Sequence, residues 1–380
     1  MASSGSGNRS SGNKRGSGNR RPTPARSSGA STQSAHQRAR DRLSQQGTGQ
    51  RRRPQQTRAA ARRPQPAGRS TGRIAGIFGG TLVVLIAVVI ILVSTLSGPG
   101  KNDDPYIAPF PITASIKKAV ENVPNKELGA AVTAPSSVVS APGKEGSGAS
   151  LIPLKGASPL VQDAKPEIVF FGSEYCPYCA ATRWPLVIAM SKFGTFSGLE
   201  ETASSPLDYA PNTHTLDFAK ATYSSPYFSF SATEQLSNHC HAAEVIKDPD
   251  GNDPPDYPPY LCNNEDYYVV NLGSKSVLAL VAKWDTDKIF PTADGTSGGI
   301  PFIDFGGSWA ESGALYSPTS LYLSSWSQIV KSFSVPTEGI GQAVLGTADR
   351  YIGVMCEMAH NKPPICKASF VKTEEKQLKT

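Results

Sequence analysis

Residues 168–179 read Ile-Val-Phe-Phe-Gly-Ser-Glu-Tyr-Cys-Pro-Tyr-Cys. The apolar run predicts a buried strand over 167–172, and the Cys-x-x-Cys that follows sits where the first turn of a helix should begin, a helix that continues from Cys179 to Phe193. Pro177 suits the first helical position, where no backbone N–H is needed. With Cys176 at the helix start, the unpaired N–H groups and the helix dipole favour its thiolate, and Cys179, three residues on, shares its face. This is how a chain builds a reactive dithiol: Cys176 as attacking thiolate, Cys179 as resolving thiol.

Beyond this segment, 215–223 and 227–232 alternate apolar and polar residues like strands, and 300–305 predicts another strand. Residues 276–284 form a short apolar segment, 321–333 a helix and 340–358 a longer helix. Residues 247–264 hold five prolines and read as loop. The order of strand, helix, strand, strand and helix is an α/β pattern.

Charge is spread unevenly. Residues 1–73 hold 17 Lys and Arg against the single acid Asp41, a net of +16 out of a whole-chain +7. That stretch is Gly, Ser, Arg, Gln and Pro with almost no large aliphatic side chain, so it is expected to be disordered. It has no aromatic residue to stack on bases, which leaves only nonspecific phosphate contact and no specific nucleic-acid partner. Residues 74–96 are 23 residues without a charge. At about 1.5 Å per residue they span roughly 35 Å against a hydrocarbon layer of roughly 30 Å, which predicts one transmembrane helix. A cleaved signal peptide fits less well, because the apolar run is long and a long segment precedes it. The Arg excess puts the N-terminus in the cytoplasm and the C-terminal part outside it, where stable disulfides form. Residues 97–150, with Ser-, Pro- and Gly-rich stretches, read as a flexible extracytoplasmic linker in which 116–123 forms one or two helical turns. A folded domain is expected over 151–370, with a tail at 371–380.

The chain has six cysteines. Cys240 and Cys262 bracket the proline-rich loop and Cys356 and Cys366 a shorter loop with two prolines, so each pair is expected as a structural disulfide. Two alternatives stay open: a relay role for Cys356 and Cys366, and a metal site at His239-Cys240-His241. In a strand His239 and His241 share a side and Cys240 points away, and no second Cys-x-x-Cys is present to complete a zinc ribbon. No metal or dissociable cofactor is expected. A nucleophile-elbow hydrolase is set aside for want of its motif.

Gly-Gly-Ile-Pro-Phe-Ile-Asp-Phe-Gly-Gly at 298–307 resembles the cis-proline loop of the thioredoxin superfamily, and Cys-Pro-Tyr-Cys resembles a glutaredoxin active site. The whole arrangement looks like an uncharacterised actinobacterial family of membrane-anchored, thioredoxin-like domains of unknown function. The resemblance runs from about Ile168 to Cys366 and is carried by the strand with Cys-Pro-Tyr-Cys, by 221–227 and 300–306, and by the closing Cys356 and Cys366 pair. The resemblance implies a thioredoxin-like fold with a long insertion around 233–297. It also implies a cis Pro301 packed beside the dithiol and shaping the substrate groove. Pro185 stands one residue further from the second cysteine than the helix-kinking proline of thioredoxins, and no residue stands out as their buried acid. The function implied is membrane-anchored thiol–disulfide exchange on extracytoplasmic protein thiols or disulfides, with a membrane electron partner. Two alternatives are a binding module that presents Tyr175, Tyr178 and Trp184 to a cell-envelope partner, and a copper-handling protein.

Overall fold

A computed structural model describes residues 106–379 except 135–137, 145–146, 148–149, 242–243, 246–259 and 292–298. The basic tail, the apolar stretch at 74–96 and the start of the expected linker lie outside the described residues, as does most of the proline-rich loop. In chain order the main elements begin with α1 (Ala114–Glu121), α2 (Asn125–Thr133), β1 (Leu151–Pro153), β2 (Lys165–Gly172) and α3 (Pro177–Met190). Next come β3 (Glu200–Ala203), β4 (His214–Asp217), β5 (Ser229–Glu234), β6 (Leu236–Cys240), β7 (Tyr267–Val269) and α4 (Lys275–Trp284). The chain closes with β8 (Phe302–Phe305), β9 (Trp309–Ser312), α5 (Trp326–Ser332), α6 (Gly339–Met358) and α7 (Ser369–Gln377).

The central sheet is mixed. β2 lies at its middle, parallel to β5 on one side and antiparallel to β8 on the other; β9 and then β1 extend it antiparallel beyond β8. A parallel pair needs a crossover, and α3 begins the one that joins β2 to β5. Period-two alternation sends Ile168, Phe170, Ile303 and Phe305 into the larger core, with α3 and α6. Phe171 and Phe302 point into a smaller core beside Ile152 and α4. The apolar segment 276–284 is therefore the helix that covers the second face of the sheet.

The expected flexible linker is largely packed. Phe110–Pro111 pairs with Glu201 and Glu200 of β3, and α1 and α2 bury Ile116, Val120, Leu128 and Ala131 against the body of the domain. The apolar residues of these helices recur at three- and four-residue spacing, a stripe that a Ser-, Pro- and Gly-rich surrounding obscures. At the other end α7 occupies most of the expected tail and buries Phe370 and Val371. The strand expected over 215–223 is divided, with a turn separating β4 from Thr222–Ser224. The helix expected over 321–333 starts only at Trp326, because Ser325 forms a capping box with Gln328.

Cys240–Cys262 and Cys356–Cys366 are disulfide-bonded. Closing the second loop stabilises the fold by about 2–3 kcal/mol in the chain-entropy picture.

One buried acid makes the fold pH-dependent. Glu311 of β9 is wholly buried, accepts a hydrogen bond from the Tyr351 hydroxyl at 2.8 Å, and has no partner for its second carboxylate oxygen. Burial pushes its carboxyl up from 4.5 to about 8, although the Tyr351 bond pulls it the other way. Between those values the folded chain holds a proton that the unfolded chain has released. The stability contribution is thus complete below 4.5 and is lost as pH rises through 8. Glu311→Gln copies the protonated acid, so its melting temperature should fall less between pH 5 and pH 8 than that of the native chain. An unchanged difference between the two pH values would rule out Glu311 as the titrating group.

Candidate functional site

The strand–helix junction forms as its residues dictate. Cys176 takes extended φ and ψ and caps α3: its sulfur accepts the Cys179 backbone N–H at 3.3 Å, with Pro177 in the first helical turn. A side-chain acceptor at this position satisfies one of the orphan donors of the helix. Cys176 and Cys179 stand as thiols and both are buried. Gly172 permits the close packing behind them, since a Cβ there would lie 3.0 Å from the Cys179 sulfur and 2.8 Å from the Phe170 ring.

The loop ahead of β8 meets this helix end. The Ile300–Pro301 peptide bond is cis, and the Cys176 thiol donates to the Ile300 carbonyl at 3.6 Å. Asp285, at the C-terminal end of α4, accepts the Gly299 N–H at 2.9 Å and holds the loop from its other side. Cys176, Cys179 and the Pro301 loop, separate in sequence, are therefore neighbours in space.

Aromatic rings frame the dithiol. Tyr175 stacks on Tyr267 of β7 with centroids 4.5 Å apart, and Tyr178 lies beside Tyr209 at 6.3 Å. The Glu174 N–H bonds to the Leu236 carbonyl of β6. Because β6 pairs with β7 and ends at the disulfide-bonded Cys240, that bridge anchors the wall against which Tyr175 rests. Of the three residues expected to form an aromatic binding surface only Tyr178 is exposed, at 40%. Tyr175 and Trp184 are buried, and the Trp184 indole N–H bonds to the His214 carbonyl. Trp184 is buried because α3 is covered on nearly every side, and Tyr175, ahead of the helix, is buried against Tyr267.

Beneath the cysteines lies a charged cluster that inspection of the sequence missed. Arg183 donates from Nε and Nη2 to the two carboxylate oxygens of Glu234 at 2.9 and 2.7 Å, and from Nη2 to the Ser173 carbonyl. Both partners are fully buried. Asp217 and Glu174 are buried close by and act electrostatically on the pair. Burial, and then the charges of Asp217 and Glu234, push Glu174 up to about 8; burial pushes Glu234 up to about 7 against the pull of Arg183. Cys179 is raised well above 9, first by burial and then by Cys176, with Arg183 opposing the shift and Glu234 adding to it. A signal existed in the sequence: Arg183 lies four residues after Cys179, on the same face of an otherwise apolar helix, where a lone charge requires a partner. That the partner is Glu234 is a matter of tertiary pairing.

The His239-Cys240-His241 run is built differently from a metal site. The Cys240 sulfur is bonded to Cys262, the His239 ring stacks on Tyr106 at 3.9 Å, and both histidines lie against Tyr268. Among the described residues no group of three or more His, Cys, Asp or Glu is placed to hold a metal ion.

The model of the family described as Domain of unknown function (DUF929) matches residues 156–357, more than half of the chain, a span that includes the dithiol, the Pro301 loop and the Arg183–Glu234 pair. No curated protein and no solved structure matches.

Proposed function

The chain belongs to the DUF929 family of domains of unknown function, and we propose that its domain is a thioredoxin-like thiol–disulfide oxidoreductase. The order β2–α3–β5, then α4, then β8–β9 and α6, with a cis proline at the head of β8, supports the thioredoxin-like reading. The observation that carries the activity is the position of Cys176. Its sulfur caps a helix, accepts the Cys179 N–H and lies beside the carbonyl that precedes Pro301.

In this reading the Cys176 thiolate attacks one sulfur of a partner disulfide, forming a mixed disulfide and expelling the other sulfur as a thiolate. Cys179 then gives up its proton and attacks the Cys176 sulfur. The Cys176–Cys179 bond forms, the mixed disulfide breaks, and the second partner thiolate leaves. Two electrons pass from the dithiol to the partner, and in the reverse direction the oxidised pair takes two electrons from a partner dithiol. The step from Cys179 needs a base, and Glu234, which acts on Cys179 and whose carboxyl burial raises to about 7, is the candidate.

The test is exchange activity of the purified chain on insulin disulfides and on reduced ribonuclease. Acceleration of either reaction is the expected result, and none with either substrate would overturn the proposal. One observation favours a second reading, a non-catalytic binding module: Cys176 is only 4% exposed. In that case the domain would bind partners without forming a mixed disulfide. We further propose that residues 74–96 anchor the domain outside the cytoplasm, where it meets protein thiols and a membrane electron partner. Protease added to wall-stripped cells should then digest the domain and spare an N-terminal tag.

A further inference from the structure

The strand that walls the dithiol also presents an outward surface. β7 buries Tyr267 against Tyr175, but Tyr268 and Val269 are exposed, as are Val270 and Leu272 on the way to α4. Val269 and Leu272 are 63% and 56% exposed, high for large aliphatic side chains. α4 continues the pattern. Val277, Val281 and Trp284 pack on the smaller core, while Leu278, Ala279 and Ala282 are exposed, and no residue of the helix is fully buried. A helix that is apolar all round ordinarily meets apolar surroundings on every side, and a run of exposed apolar side chains marks a contact surface.

Charge narrows the occupant. Residues 74–380 hold 30 Asp and Glu against 21 Lys and Arg, yet 267–284 contain no acid and two cations, Lys275 and Lys283, both exposed. The next acid, Asp285, is buried and accepts the Gly299 N–H. Shape narrows it further. Tyr268 and Val269, consecutive in a strand, point to opposite sides, and six consecutive apolar residues, 277–282, run around α4. This outline offers no single flat face to a folded partner, but it suits a medium that is apolar from every direction. Apolar side chains flanked by Lys and bordered by Tyr are the composition of segments that lie in the boundary of an anionic bilayer.

The start of the domain lies beside this surface. Tyr106, the first described residue, stacks on His239 at 3.9 Å, and His239 lies against Tyr268 at 4.9 Å. In the anchor reading, on which this inference rests, the membrane-spanning stretch ends at Leu96, and the ten residue steps from there to Tyr106 reach at most about 35 Å. We propose that 268–284 docks on the anionic phospholipid surface of the membrane that holds the anchor. The exposed apolar side chains enter the boundary between headgroups and acyl chains, and Lys275 and Lys283 meet the phosphates. Through the Tyr267–Tyr175 stack, the docked domain holds its dithiol close to the membrane surface.

The test is photolabelling of the full-length chain reconstituted in vesicles of phosphatidylcholine and phosphatidylglycerol. The vesicles also carry a phospholipid with a diazirine on its acyl chain, close to the headgroup, and labelled peptides are mapped by mass spectrometry. Labelling of both 74–96 and 268–284 is expected. Val269→Asp with Leu272→Asp should lower the labelling of 268–284 about tenfold and leave that of 74–96, because burying one such side chain favours the docked form by at least about that factor. Leu278→Asp, on α4, gives a second variant should the first disturb the pairing of β7. Labelling confined to 74–96 overturns the proposal while the anchor stands, the pattern expected if a protein covers this surface. Labelling of 268–284 alone supports docking and removes the anchor. Labelling of neither overturns both, and labelling of 268–284 that survives all three substitutions overturns the docking.

Discussion

Cys176→Ser should abolish disulfide exchange, while Cys179→Ser should leave the first attack intact and accumulate mixed disulfides with partner proteins. The asymmetry follows from where the two sulfurs lie. The Cys176 sulfur receives a backbone N–H at the positive end of α3, whereas the Cys179 thiol is fully buried and held well above 9, chiefly by that burial. Only the first caps the helix and lies beside the loop of Pro301. A hydroxyl in its place cannot form a disulfide, so the loss should be complete rather than graded. In Cys179→Ser the mixed disulfide forms but has no internal thiol to resolve it. Non-reducing electrophoresis with mass identification reads both outcomes. Trapped partners on Cys176 in the Cys179→Ser chain support the assignment, and trapping through Cys179 in the Cys176→Ser chain would reverse it. If neither variant traps a partner, the binding-module reading is favoured.

The second large effect is on stability. Removing one member of a buried, hydrogen-bonded ion pair strands the other charge, at a cost of about 3–5 kcal/mol. Arg183→Met should therefore lower the unfolding free energy by about that amount, measured by denaturant titration. The pair need not be worth this much in itself: replacing both partners, Arg183→Met with Glu234→Leu, should recover most of the loss, since an apolar pair of similar volume escapes the desolvation penalty. The double variant separates structure from chemistry. Arg183 opposes the rise of the Cys179 thiol, and Glu234 contributes to it. Glu234→Gln should therefore shift the pH dependence of Cys179 alkylation in the reduced chain to lower pH. If stability is restored in the double variant and Cys179 still titrates as in the native chain, the pair is structural and plays no part in tuning the dithiol.

The disulfide pairing shows how far sequence logic reaches. Cys240–Cys262 and Cys356–Cys366 were legible because each pair closes a proline-containing loop, and the structure bonds them in that way. The packed helices α1 and α2 were not, because their apolar stripes are short and the flanking composition is that of a linker. Their contribution becomes visible only where Val120 and Leu128 meet the rest of the core. Likewise Trp184 reads as a surface aromatic until α3 is seen to be covered around nearly its whole circumference.

Consecutive residues alone specify the strand that leads into Cys176-Pro177-Tyr178-Cys179, the helix that follows, and the α/β order around them. Strand period, proline at the first helical turn and capping act over a few residues, so they are written in consecutive positions. Tertiary structure alone decided what surrounds the dithiol. Ile300 reaches Cys176 across 124 positions and Glu234 reaches Arg183 across 51. Tyr267 reaches Tyr175 through a hairpin anchored by a disulfide. A buried charge specifies that it must be paired but not with which residue, because the partner is chosen by the register of strands that meet only after the chain has folded.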